Sequence, residues 1–127
     1  MPRTRIHALV VLAILACLAA SPAPAQSSRM VMAHIFTVPA DPPGGNSDAA
    51  LPAFENWLAT SFGGYTRLGA GDGTWKNEKG QVETQGNIVF LVTANRDVSK
   101  DIAARLTRDF GERVPFVLVF PAGMFVK

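Results

Sequence analysis

The stretch Asn87-Ile88-Val89-Phe90-Leu91-Val92-Thr93 sets the architecture. Its β-branched and aromatic content marks a strand. An antiparallel strand with one wet face should alternate apolar and polar residues, and this one does not. Ile88, Phe90 and Val92 point one way, Val89, Leu91 and Thr93 the other, and both sets are largely apolar. The last strand, expected over residues 115–121, repeats the pattern: Phe116, Leu118 and Phe120 oppose Val117 and Val119, with Pro115 and Pro121 at its ends. Proline is placed there without breaking interior ladder bonds.

Between these strands the spacing predicts a helix over 98–110. Val98, Ile102, Leu106 and Phe110 recur on one stripe, Asp97 or Ser99 caps its start, and Gly111 ends it. Upstream, residues 65–93 read as a hairpin. Its first strand starts at Tyr65, is loosened from Gly69 to Gly73 and resumes at Trp75; the turn is Lys76-Asn77-Glu78-Lys79-Gly80. Before it lies a helix over 48–62, with Leu51, Phe54, Leu58 and Phe62 as its buried stripe, Ser47 or Asp48 as cap and Gly63-Gly64 as stop. Pro52 is compatible with that helix only in its first turn. Residues 29–47 hold the first strand, Met30 to Val38, and a loop from Pro39 to Ser47.

The order β-α-β-β-α-β is the split βαβ of ferredoxin-like domains, an α+β fold with a four-stranded antiparallel sheet and two helices on one face. Two helices cover one face of such a sheet. The second apolar face predicts another cover, and a second copy of the chain packed sheet against sheet is the leading expectation. The result would be a homodimer of the dimeric α+β-barrel type with a cavity between the sheets. In the alternative, Ala122 to Lys127 and the loop 39–47 fold over that face.

Residues 1–25 read as a secretory signal peptide: Arg3 and Arg5, then the apolar run Ile6 to Ala20 broken by His7, then Ser21-Pro22-Ala23-Pro24-Ala25 with an A-x-A site. The run is short for a transmembrane helix, so no stable membrane span is expected. Lipidation at Cys17, in Ile14-Leu15-Ala16-Cys17, ranks second to cleavage after Ala25. Such cleavage leaves 102 of the 127 residues and removes Arg3 and Arg5, so Lys+Arg falls from 12 to 10 against 10 Asp+Glu. A neutral mature chain with no basic block argues against nucleic acid and against strong attraction to an anionic membrane surface. The only cysteine departs too, which excludes thiol catalysis and suits a periplasmic or secreted protein. At 48% hydrophobic residues the chain has ample apolar surface for a single core.

His34 is the one histidine beyond residue 25. It shares a strand face with Met30 and Met32 by the period of two, and two thioethers beside an imidazole are ligands that copper favours. The opposing reading makes the methionines filler and His34 a packed core histidine. As a general base His34 has suitable chemistry, though no nucleophile pairs with it in sequence. Tyr65, Arg67 and Trp75, next to the Gly69–Gly73 segment, are candidate ligand-binding residues; the competing reading packs Trp75 on the sheet and leaves Arg67 solvated. Gly69-Ala70-Gly71-Asp72-Gly73 is not a phosphate loop, because it has no Lys-Ser/Thr and leads into no helix. Asp41, Asp48, Asp72 and Asp97 are isolated and have no EF-hand spacing, and Glu78 and Glu83 flank a turn. Arg105, Arg108 and Arg113 with Asp101, Asp109 and Glu112 form a mixed solvated face. No cofactor is expected.

The run Tyr65 to Gly80, with Gly73-Thr74-Trp75 and its closing glycine, then Asn87 to Val92, then Arg108-Asp109-Phe110-Gly111, resembles a family of small exported bacterial proteins of unknown function. The resemblance spans residues 54–120. Its motifs are structural and imply no transferable activity or catalytic residue. The function expected is an exported, non-catalytic binding or accessory protein that holds a small apolar ligand or a partner polypeptide. A small cofactor-free isomerase, lyase or monooxygenase using His34 is the alternative.

Overall fold

The computed structural model describes residues 27–42 and 47–126. The signal-peptide, cleavage and Cys17 expectations, and the middle of the 39–47 loop, lie outside the described residues. Ser28–Met124 forms one compact unit of the chain. Both helices and nearly all of the sheet belong to it.

The elements run β1 (Ser27–Pro39), α1 (Ser47–Phe62), β2 (Thr66–Lys76), β3 (Val82–Ala94), α2 (Ser99–Phe110) and β4 (Val117–Val126). The four strands form one sheet in the order β2-β3-β1-β4, an antiparallel α+β arrangement as the sequence predicts. β1 pairs antiparallel with β3, with Phe36 opposite Phe90 and Val38 opposite Ile88, and β2 pairs antiparallel with β3.

The core lies between the sheet and the helices. Phe36, Val38, Phe90 and Val92 from the central strands meet Leu51, Phe54 and Leu58 of α1 and Ile102, Leu106 and Phe110 of α2. Four phenylalanines organise it: Phe36 and Phe90 stack at 5.7 Å between centroids, and Phe54 sets its ring edge-on to Phe36, Phe90 and Phe110. Edge-on and offset contacts satisfy the ring quadrupoles as well as burying area. Both helical stripes are those of the sequence, except that Phe62 is half-buried, packed edge-on against Trp57. Gly111 ends α2 in the left-handed conformation and returns its N–H to the Thr107 carbonyl.

Three local expectations need correcting. Pro52 lies inside α1, beyond its first turn; it faces solvent, so its ring meets no core neighbour. The Gly69–Gly73 segment does not loosen the hairpin but runs as continuous strand, with a bulge between Arg67 and Gly69. β4 runs past Pro121 to Val126, so Pro121 is interior to a strand and Ala122 onward extends the sheet instead of folding across it. A proline is tolerated there because β4 is an edge strand.

Candidate functional site

The face of the sheet turned away from the helices is built by alternation. In β1 and β3 the partners Phe36 and Phe90 face the helices, so Ile35 with Leu91 and Thr37 with Val89 face the other way. In β4, Val117 packs on the core while Leu118 stands 48% and Phe120 38% exposed, with Phe116 at 56% just before the strand. In β2 the bulge inverts the alternation. Arg67 opposes Phe90 on the helix side, whereas Gly69, Gly71, Gly73 and Trp75 oppose Val89, Asn87, Gln85 and Glu83 on the open side. Gly69 adopts φ +123°, a conformation glycine favours, at the point of the bulge. The next two glycines clear room: a Cβ on Gly71 would sit 3.2 Å from Val89 Cγ2, and one on Gly73 would sit 2.8 Å from Asn87 Nδ2. Across its middle the face therefore presents Ile35, Val89, Leu91, Leu118 and Phe120, with no ionisable side chain among them.

The bulge separates the three candidate ligand residues. Trp75 belongs to the open face, while Arg67 lies on the helix side, 3.6 Å from Glu55 of α1. Tyr65 precedes β2 with its ring 5.7 Å from that of Phe90, and it borders a cavity of about 190 Å³ shared with Leu91 and Thr93. The structure thus does not assemble Tyr65, Arg67 and Trp75 into one pocket.

His34 takes the packed position. It is fully buried on the helix side, and its Nε2 accepts the backbone N–H of Val98 at 3.0 Å. That bond requires Nε2 to be unprotonated and places the proton of a neutral ring on Nδ1. Nδ1 has no hydrogen-bond partner among the described residues. His34 thus ties β1 to the start of α2. Val98, the residue before that helix, cannot cap it with its own side chain, so the first N–H groups are met from outside: by His34, and by Asp97 Oδ1, which accepts the Ser99 N–H at 2.8 Å. The Asp97 carboxyl is held below its ordinary value of 3.8, chiefly by its hydrogen bonds with Ser99, with desolvation opposing them.

With Nε2 engaged and the ring closed off from solvent, the general-base reading of His34 finds no support in this geometry. The copper reading fares no better, because Met30 is 69% exposed whereas His34 is fully buried. No group of three or more His, Cys, Asp or Glu side chains among the described residues is placed to hold a metal ion. None of the described helices is long and apolar enough to cross a membrane. Sequence reasoning missed the His34–Val98 bond, whose partners are 64 residues apart.

No protein-family model matches the sequence, and no curated protein does. A solved structure does match: CutA from the phytopathogenic bacterium Xylella fastidiosa, 21% identical, covering 71% of this chain and 81% of that one with a TM-score of 0.52. At that identity the likeness bears on the fold alone, and it agrees with the ferredoxin-like arrangement of sheet and helices.

Proposed function

We propose that the protein is a non-catalytic binding or accessory protein, exported by its first 25 residues to the periplasm or the medium, that works as a homodimer through the open face of its sheet. The observation that carries this reading is the contiguous apolar face. Ile35, Val89, Leu91, Leu118 and Phe120 share a side that neither helix covers, and Leu118 and Phe120 are 48% and 38% exposed. An apolar patch of that kind on a small domain marks a contact surface. Two such faces packed together bury each other and leave between them the space in which a small apolar ligand or a partner segment is held. The fold is shared with CutA, which supports an accessory domain on architecture alone.

Light scattering of the exported protein during size exclusion tests the reading. The expected mass is twice that of the processed chain, and Leu118→Glu combined with Phe120→Glu is expected to give a monomer with unchanged far-ultraviolet dichroism. A wild-type monomer at all concentrations, or a dimer indifferent to the double substitution, would overturn it.

A further inference from the structure

On the other side of the molecule a groove of about 470 Å³ runs between α1 and α2. We propose that it is a binding site for a small aromatic carboxylate. Trp57 and Phe62 supply an apolar floor, their rings edge-on at 5.1 Å. Arg96, Arg105 and Arg108 stand around it, with the Ser61 hydroxyl at the rim.

The guanidinium groups are held in a particular way. The Arg105 guanidinium lies 5.0 Å over the Trp57 ring. Its Nε donates to Asp109 Oδ2, and Arg108 Nε donates to the other oxygen, Oδ1. Asp109 is 14% exposed and so acts as a positioning residue beneath both arginines. Because both are anchored through Nε, the Nη ends that form a fork for a second carboxylate are left to the groove. Arg96 is tied to Asp101 at 2.9 Å. Three guanidinium groups against two carboxylates leave the groove one positive charge in excess.

That placement selects the ligand chemistry. A carboxylate meets the excess charge and the Nη fork, and a flat apolar body lies against Phe62 and the ring edge of Trp57, beside the Arg105 guanidinium that covers the indole face. A neutral aromatic loses the first interaction and a bare anion loses the second. The volume falls within the ordinary range for small-molecule sites.

Proton–nitrogen NMR on the protein, titrated separately with benzoate, benzamide and inorganic phosphate, tests this. The chain has two tryptophans; Trp75 stands on the opposite face and serves as the internal control. Benzoate is expected to shift the Trp57 indole N–H and the Arg105 and Arg108 Nε–H resonances saturably, leaving Trp75 in place. Benzamide and phosphate should bind at least about tenfold more weakly, the scale of one charge-assisted hydrogen bond. Arg108→Gln, whose parent side chain is 63% exposed, should weaken benzoate by a similar factor without disturbing the fold. Equal binding of benzamide, equal binding of phosphate, indifference to Arg108→Gln, or no saturable shift would each overturn the assignment. Because Trp75 reports on the sheet face, failure here is distinguishable from failure of the dimer reading.

Discussion

The two faces of the sheet are made from nearly the same residues and are buried differently. On the helix side Phe36, Val38 and Phe90 are fully buried and Val92 nearly so, locked against α1 and α2. On the other side Ile35, Val89 and Leu91, their immediate neighbours in sequence, are only half-buried, and the β4 side chains Leu118 and Phe120 stand out further. Apolar composition alone therefore does not say where a core is. What covers a face says it, and the covering side chains come from other elements of the chain, as Leu51 and Phe54 of α1 do over Phe36 of β1. One face stabilises the single chain, and in the proposed homodimer the other stabilises the assembly.

The sharpest way to break that contrast is to truncate one side chain on each face. Phe54→Ala removes the ring that touches Phe36, Phe90 and Phe110. It should lower unfolding stability by about 3–5 kcal/mol, as buried phenylalanine truncations do, at every protein concentration in a urea titration. Leu118→Ala should change the monomer by about 0.5 kcal/mol or less, the usual scale for surface positions, while its effect on the assembled protein grows with concentration. If Leu118→Ala cost as much as Phe54→Ala in dilute solution, the open face would be core after all.

A smaller effect probes the joint between β1 and α2. His34→Leu keeps much of the volume but leaves the buried Val98 N–H without its acceptor, and it also removes the unpartnered Nδ1. The expected loss is about 1–3 kcal/mol. Hydrogen exchange should show it concentrated in the first turn of α2, with the Phe36–Phe90 pairing in β1 and β3 still protected. Uniform loss across the sheet would mean that His34 acts as ordinary core packing and not as a tie to the helix.

How much of this was legible in the sequence depends on the range of the interaction. The α2 stripe Val98, Ile102, Leu106 and Phe110, all buried, was readable because a helix writes its buried face at a fixed spacing. The doubled apolar faces of β3 and β4 were readable by the same logic with a period of two. The β2 strand was obscured because Gly69, Gly71 and Gly73 look like a loop; the reason for Gly71 and Gly73 lies in Val89 and Asn87 on the partner strand and that for Gly69 in the bulge, which no local pattern displays. The bulge that sends Arg67 and Trp75 to opposite faces was unreadable for the same reason. Tyr65, Arg67 and Trp75 consequently looked like one group in sequence and are three separate placements in space. His34 could be recognised as a packed histidine, but its partner Val98 could not be named. Arg105 and Arg108 were visible only as charges on a mixed face, since their anchoring by Asp109 and the stacking on Trp57 depend on how α1 and α2 meet.

The smallest expected effect isolates a charge at the same joint. Asp97→Asn keeps an oxygen able to accept the Ser99 N–H, because Asn and Asp cap helices about equally well, but it removes the negative charge from the start of α2. The Asp97 carboxyl is held below its ordinary 3.8 in the folded protein, chiefly by its bonds with Ser99. A group whose folded value is depressed contributes stability that is fully present above its unfolded value and is lost as pH falls through the folded one. The wild type should therefore be more stable than Asp97→Asn at neutral pH. The gap should stay constant down to the ordinary carboxylate range, then close as the solution is made more acidic. Added salt should narrow it as well, because the side chain is half exposed, at 53%, and a charge at a helix start is screened there. Urea titrations of both proteins across that acid range measure the gap directly. A difference that persisted unchanged into strong acid would assign the contribution of Asp97 to its shape and hydrogen bonding, and the start of α2 would then rest on His34 and the Ser99 bond without help from charge.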